Sequence, residues 1–492
     1  MTDDKLTGIS ARFRTLLSRP EGCPEWKWGN LGNWKRPCAV ILFCIAAAMA
    51  SPAQIFTSLV SFEGSNGIFP ESIVQGTDGA LWGTTANGGP SNCGTVFKMT
   101  PAGVLTTVFT FACRNGSEPT GLIQGTDGSF YGTTFFGGAS NGGTVFRLTP
   151  SGKQTVLLSF IAGGSGGSGP LGNLAQGTDG NFYGATYSGG SESGYGTLFK
   201  ITPKGVLSTL YTFDFTHGAQ PYAGPVQGSD GNFYGTTYSG GTNGAGTVYK
   251  ITPGGTLTVL HSFGGNTSDG DFPISSLVQG RDGSLYGTTP DGGSDNDGTV
   301  FKITRSGMFT TLHSFAGTDG RSPAGALVQA TDGNFYGGTG YGGTNDIDGT
   351  IFKMNAAGTV TTVHNFDGSD GQDPFPLTQD TSGILFGTTG GGGDLNCQPS
   401  YGCGTVFSLS VALGPFVKTL PTRGAVGTKV RILGTNLADT TSGSFNGSAA
   451  TFTVVSSSEI TTSVPTGATT GRVEVVTPGN RLKSNIVFQI TP

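Results

Sequence analysis

The sequence predicts an all-β fold, a seven-bladed β-propeller followed by a small β-sandwich, and three observations carry that expectation. A unit of about fifty residues recurs seven times between Phe62 and Phe407, anchored by Asp-Gly steps at Asp78, Asp127, Asp179, Asp230, Asp282 and Asp332 and by a worn copy at Ser382-Gly383. The anchors stand 49, 52, 51, 52, 50 and 50 residues apart. Each unit also spells four short strands between tight turns, which is the content of one propeller blade. Finally, the two ends of the array are complementary. Ile55 to Phe62 matches the fourth strand of the other copies, whereas the last copy stops after its third strand at Gly404-Thr405-Val406-Phe407. Pairing the two ends closes a ring and leaves no exposed edge, which a linear stack of sheets would not do.

The first fifty residues differ from the rest. Lys35-Arg36 precede an apolar run from Cys38 to Ala50, with small residues at Ala48, Ala50, Ser51 and Ala53 suited to cleavage, so this segment reads as an export signal with a long leader. The run falls short of the ~20 residues that span a bilayer, and no membrane span is expected once it is removed. What remains carries 19 Lys/Arg against 27 Asp/Glu, a net charge of −8 without any basic run. Nucleic acid is thereby excluded as a partner. Glycine makes up 88 of 492 residues and charged residues only 12%, while Thr, Val, Phe and Tyr recur between Gly-rich turns, the balance of a strand-rich exported chain.

The copy from Ala223 to Phe263 shows how a unit is built. A short strand ends at Gln227, Ser229-Asp230-Gly231 turns the chain, and Asn232 to Tyr238 returns. Gly240-Gly241 opens a looser loop, Gly246 to Ile251 forms a third strand, Pro253-Gly254-Gly255 turns, and Leu257 to Phe263 forms the fourth. Gly supplies positive φ and Pro presets φ at the tight turns. Both tight turns then fall at one end of the unit and both variable loops at the other. Cys93, Cys113, Cys397 and Cys403 all lie in variable loops. Closeness along the fold pairs Cys93 with Cys113 and Cys397 with Cys403, as suits an oxidising compartment.

After Leu413 the period is lost, and Pro415 to Pro492 alternates in short strands as a small sandwich does. Its opening Gly427-Thr428-Lys429-Val430-Arg431-Ile432-Leu433-Gly434-Thr435-Asn436-Leu437 and its Val464-Pro465 resemble the immunoglobulin-like IPT/TIG domain. That resemblance implies an accessory binding or spacing module without catalytic residues. Within residues 55–409, Asn-Phe-Tyr-Gly-Thr-Thr at Asn232, Gly-Thr-Val-Phe-Lys at Gly94 and Gly298, and His-Ser-Phe at His261 and His313 resemble the GloVer-type tandem repeats. These belong to exported bacterial proteins whose C-terminal anchors vary, and the resemblance implies no assigned activity. No apolar tail precedes Pro492, which speaks against anchoring by that route.

Candidate site residues are few. A Gln recurs on every first strand, from Gln75 and Gln124 to Gln379, where its amide is expected to satisfy backbone groups between neighbouring blades. His261, His313 and His364 share one fourth-strand position with apolar residues and read as packing on separate blades. Gly163-Gly164-Ser165-Gly166-Gly167 matches a nucleophile elbow only in letters, lacking the strand and helix that an elbow needs. Of 24 acids in the repeats, 17 fall in variable loops, so one end should be acidic and variable. Asp295, Asp297, Asp346, Asp348 and Asp370 are the candidates there for a weak, loop-built Ca²⁺ site, and no other cofactor is implied. An alternative use of the same acids is docking of the C-terminal module, which carries 7 Lys/Arg against 3 Asp/Glu. The reading is an exported, non-catalytic binding or structural protein at or outside the cell surface, with an extracellular glycan or protein as partner. The alternative is an extracellular lyase or glycan hydrolase using paired acids of that end; Asp78-Gly79-Ala80-Leu81-Trp82 is similar to the blades of streptogramin lyases, a likeness of fold.

Overall fold

The computed structural model describes residues 54–266, 268–399 and 401–491, and the leader with its expected export signal lies outside them. The chain is all-β, without a helix among the described residues. Seven antiparallel sheets follow the sequence repeat, six of four strands and the last of five. The first is built from Ile68–Gln75, Leu81–Asn87, Thr95–Met99 and Leu105–Thr110. The seventh takes its outer strand from the front of the chain, with Ile55 opposite Ser410 and Ser61 opposite Thr405.

The repeated letters have identifiable work. Gly83, in the second strand, faces the third strand's Phe97, and a Cβ there would lie 2.3 Å from the ring. Thr85 and Thr95 join the same two strands through a buried hydroxyl pair at 2.9 Å, repeated in every sheet down to Thr389 and Thr405. The turn aspartate caps its own turn and takes a hydrogen bond from the second-strand aromatic, as Asp230 does from the Tyr234 hydroxyl at 2.7 Å. A third-strand cation completes the group, Lys302 on Asp282 at 2.7 Å and Arg147 on Asp127 at 3.0 Å. Where the seventh copy has Ser382 in place of the aspartate, Phe386 stands in place of the tyrosine, so acceptor and donor are lost together.

Sheets pack face to face through aromatic side chains. Tyr131 stacks on Phe182 of the following sheet at 4.0 Å, and Tyr183 on Phe233 at 3.9 Å. One core joins Trp82, Val96 and Phe111 of the first sheet to Leu122, Phe130 and Phe146 of the second. Another joins Phe386 and Val406 of the seventh to Ile73, Leu81 and Phe97 of the first. The side chains that line these cores are buried, and each contributes roughly 1.5–3 kcal/mol.

Two further sets of contacts tie the sheets together, one at each end. At the tight-turn end, every first-strand Gln accepts a backbone N–H from the turn of the preceding sheet. Thr77 donates to Gln124, Thr126 to Gln176, Thr178 to Gln227, Ser229 to Gln279, Arg281 to Gln329, Thr331 to Gln379 and Thr381 to Gln75, at 2.8–3.3 Å. At the long-loop end, the residue before the first-strand proline donates its N–H to the preceding sheet, Phe69 to the Cys403 carbonyl at 3.0 Å and Asp373 to that of Asp348 at 3.2 Å. The proline packs on the glycine that opens the preceding third strand. A Cβ on Gly94 would lie 2.5 Å from Pro119 Cδ, which is why Gly-Thr-Val-Phe-Lys must begin with glycine.

The C-terminal segment is a β-sandwich. One sheet holds Lys418–Leu420, Lys429–Leu433, Glu459–Ser463 and Phe452–Val454; the other holds Ser448–Ala450, Ser442–Phe445, Val473–Thr477 and Asn480–Lys483. Val430, Ile432, Phe445, Ile460, Val473 and Val475 fill the space between them. The sandwich sits on the tight-turn end, not on the acidic loops. The Arg423 guanidinium donates to the Ser229 carbonyl at 2.6 Å, Arg431 to that of Thr126 at 3.2 Å, and the Ser458 hydroxyl to that of Thr77 at 2.9 Å. Lys418 donates to the Gln379 carbonyl, and burial pulls its ammonium down to about 8. Docking on the acidic loops is therefore wrong in its partner: the module's cations recognise turn carbonyls, which sequence charge counts do not register.

Replacing Gln124 by Leu strands the Thr77 N–H and the Gly128 carbonyl that its amide also serves. The variant is expected to lose about 1–3 kcal/mol in urea denaturation. A loss below about 0.5 kcal/mol would show that the link carries no stability.

Candidate functional site

Three positions of the repeat meet at the inner rim of the long-loop end. The residue before the first-strand proline is Phe69, Glu118, Gly169, Gln220, Phe272, Ser322 or Asp373 in successive sheets, and in all seven its φ lies between 53° and 62°. That left-handed conformation suits glycine and costs most other residues about 1–3 kcal/mol. The backbone is thus constant while the side chain varies freely. The residue after the proline is Glu71 in the first sheet and Tyr222 in the fourth, and the residue ending the Phe-Tyr-Gly-Thr-Thr strand is Phe135, Tyr187 or Tyr238 in the second to fourth sheets but Gly340 or Gly390 in the sixth and seventh.

The rim is divided by chemistry. On one side, Glu71, Glu118 and Asp373 come from the first, second and seventh sheets. Burial, followed by the charges of Asp373 and Glu118, pushes the Glu71 carboxyl up to about 8. Burial alone pushes Asp373 up to about 6 and raises Glu118. All three keep some contact with solvent, and none is in an ion pair among the described residues. Gly340 and Gly390 clear room for Asp373, since a Cβ on Gly340 would lie 2.9 Å from its Oδ1. On the other side runs an aromatic arc. Tyr187 meets Phe135 at 6.0 Å and Tyr222 at 5.3 Å, Tyr222 meets Tyr238 at 5.0 Å, and Tyr238 meets Phe272 at 5.1 Å. Gln220 donates to the Tyr187 hydroxyl at 2.9 Å and holds it in place.

The calcium candidates are engaged with other groups, although Asp297 lies within charge range of Asp295 and Asp346, and Asp348 within that of Asp370. Asp346 pairs with Arg321 at 3.1 Å, Asp370 with His364 at 2.8 Å, and Asp295 accepts the Ser294 hydroxyl at 2.8 Å. Asp297 and Asp348 accept backbone N–H groups of the next sheet through their carbonyls. No three His, Cys, Asp or Glu side chains among the described residues come together in a way that holds a metal ion. Both cysteine pairs are joined as expected, Cys93 to Cys113 and Cys397 to Cys403, with Cα atoms 5.3 and 5.9 Å apart.

The histidines depart from simple packing. His261, His313 and His364 bond Asp269, Asp319 and Asp370 at 3.1, 2.7 and 2.8 Å, and His217 bonds Asp214 at 2.8 Å. Asp319 also caps its loop by accepting the Ala316 N–H, so the pairs of His261, His313 and His364 fasten a loop to an outer strand, whereas His217 and Asp214 share one loop. A carboxylate six to eight residues downstream of each rim histidine was the available signal. These pairs lie on separate sheets. His261 and His313 do line a rim groove of about 500 Å³, beside Phe309 and Asp269, away from the inner rim.

A model of the Gloeobacter/Verrucomicrobia repeat matches residues 48–194 and 171–407. The chain belongs to this repeat family. An IPT/TIG domain matches residues 416–490, the sandwich described above. No curated protein matches the sequence. Among solved structures, the extracellular domain of a B. thetaiotaomicron protein classed as a hybrid two component system is similar at 10% identity and a TM-score of 0.51, covering 89% of this chain and 54% of that one. The chain thus spans about half the length of that domain, and a likeness at this identity concerns the fold alone. A periplasmic gluconolactonase of Pseudomonas aeruginosa is similar at 17% identity and a TM-score of 0.42, with 60% and 84% of the two chains covered. A PQQ-bound aldose sugar dehydrogenase of Streptomyces coelicolor matches at 15% and 0.40, with 73% and 99% covered.

Because the Glu71 and Asp373 shifts run upward, the folded protein keeps protons that the unfolded chain releases above the ordinary carboxylate range. Their contribution to stability is full below about 4.5 and is lost as pH rises toward about 8. Glu71→Gln is expected to gain melting temperature over the parent as pH increases through this window. Parallel melting profiles for the two proteins would contradict the placement of Glu71.

Proposed function

We propose that this repeat protein is an exported, non-catalytic binding protein, a seven-bladed propeller that receives an extracellular glycan at its long-loop end. The propeller reading is supported by the seven sheets, by the Gln links that run from sheet to sheet and return from the seventh to the first, and by the outer strand that the front of the chain lends to the last sheet. Export is supported by the apolar run at Cys38–Ala50, outside the described residues, and by the two disulfides. No helix among the described residues is long and apolar enough to cross a membrane.

The observation that carries the function is the divided inner rim. Aromatic faces beside carboxylates are the chemistry that stacks on the C–H face of a sugar ring and accepts its hydroxyl protons. The tight-turn end is occupied by the C-terminal sandwich, which leaves the long-loop end to meet a ligand. Steric freedom at this rim also fits binding: its residue types vary over a backbone that does not.

A glycan array probed with residues 51–492 is expected to return a related set of glycans, and Tyr187→Ala with Tyr222→Ala is expected to weaken binding about tenfold or more. An array without bound glycans would overturn the reading. Release of shortened products from a bound glycan, abolished by Glu71→Gln, would replace it with the hydrolase.

A further inference from the structure

The aromatic arc of the inner rim extends over four sheets. Phe135, Tyr187, Tyr222, Tyr238 and Phe272 stand with successive ring centroids 5.0–6.0 Å apart, each residue half-buried. Successive planes turn by 61°, 81°, 50° and 32°, so a flat ligand lies on one or two of them and leaves the rest bare. A chain of small rings joined by rotatable bonds can face each in turn. Folding does not ask for this row. Pro290, Gly340 and Gly390 end the same strand in later sheets, and Gln220 and Phe272 hold left-handed φ values of 55° and 57° where Gly169 serves the third sheet without strain. Gln220 accepts the Ser239 hydroxyl at 3.0 Å and donates its amide to the Tyr187 hydroxyl oxygen at 2.9 Å. The Tyr187 oxygen thus already accepts one bond and has its own proton to give.

Charge narrows the ligand further. The cations in the long loops of the repeats are Arg114 and Arg321, and the others lie on third strands or tight turns. Arg321 is paired with Asp346, and Arg114 stands beside Asn115, whose carbonyl accepts the amide of Gln154 on an outer strand. The 17 acids of those loops repel a polyanion, and the arc itself offers it no counter-charge. We infer that the arc is an extended site for a neutral polysaccharide chain, which lays consecutive sugar rings along the row from Phe135 to Phe272. This rests on the glycan-binding reading above and names the class: a neutral chain held along its length. Tyr222, at the middle of the arc, meets short and long chains alike, whereas Phe135 and Phe272 at its two ends are reached by long ones.

Calorimetric titration of residues 51–492 with neutral glucan, xylan, mannan and galactan oligomers of three and six sugars, and with a galacturonate hexamer, tests the inference. In at least one neutral series the hexamer is expected to bind about tenfold or more tightly than the trimer, and the galacturonate hexamer about tenfold or more weakly than that neutral hexamer. Phe135→Ala and Phe272→Ala are each expected to lower hexamer affinity about threefold or more and to leave the trimer unchanged, while Tyr222→Ala weakens both. Equal binding of trimer and hexamer would overturn the extended site and leave glycan binding standing. Equal binding of the galacturonate hexamer would overturn the neutral class. End-ring variants that affect both lengths alike would overturn the placement of the chain, since lost packing does not distinguish them. If no neutral oligomer binds while the array returns other glycans, the inference fails and the broader reading survives; an empty array removes both.

Discussion

The hydrogen bond from a turn N–H to the glutamine of the next sheet is the contact on which the rest of the molecule depends. Each is worth only about 1 kcal/mol net, but leaving it unmade would strand a buried donor at greater cost. Because the amide also serves the carbonyl of its own turn, as Gln124 does with Gly128, one side chain sets two turns at once. The turns hold the aspartates, the aspartates hold the second-strand tyrosines, and those rings form the cores between sheets. Thr381 and Gln75 make the same bond across 306 residues of sequence, so the last sheet is held to the first by the device that holds every other neighbour.

The two ends of the repeat have consequently different freedom. Tight-turn residues are committed to caps, ion pairs and glutamine links, and they also offer the carbonyls on which Arg423, Arg431 and Ser458 of the sandwich settle. At the other end the shared device is a backbone one, the proline, the left-handed residue before it and the glycine it packs against, with disulfides and His–Asp pairs added only in particular loops. The side chain of the left-handed residue is released from structural duty. Acids on one side and tyrosines on the other are then choices that folding does not require, and Glu118 and Asp373 are choices that folding resists.

Much of the fold was legible because every structural device is repeated. Seven copies exposed the glutamine, the Asp-Gly turn and the complementary ends, and all three correspond to observed contacts. The docking of the sandwich was not legible, because its cations meet main-chain carbonyls and no pattern of charged letters marks those. The rim was hidden for a related reason. Glu118 and Asp373 lie 47 and 302 residues from Glu71, at a different repeat position, and only alignment of the copies around the first-strand proline brings the three together. Charge counting drew attention instead to Asp295, Asp297, Asp346, Asp348 and Asp370, which meet a serine hydroxyl, an arginine, a histidine and main-chain N–H groups in their loops.

Native-state hydrogen exchange on a protein lacking residues 51–62 tests the closed circuit of sheets most directly. Loss of the strand paired with Thr405–Ser410 is expected to lower amide protection in the seventh sheet and also in the first, with Thr381 and the Phe69 amide exposed together. Loss confined to the seventh sheet, with the first fully protected, would mean that the sheets form an open row with independent ends, and the closed circuit would be wrong.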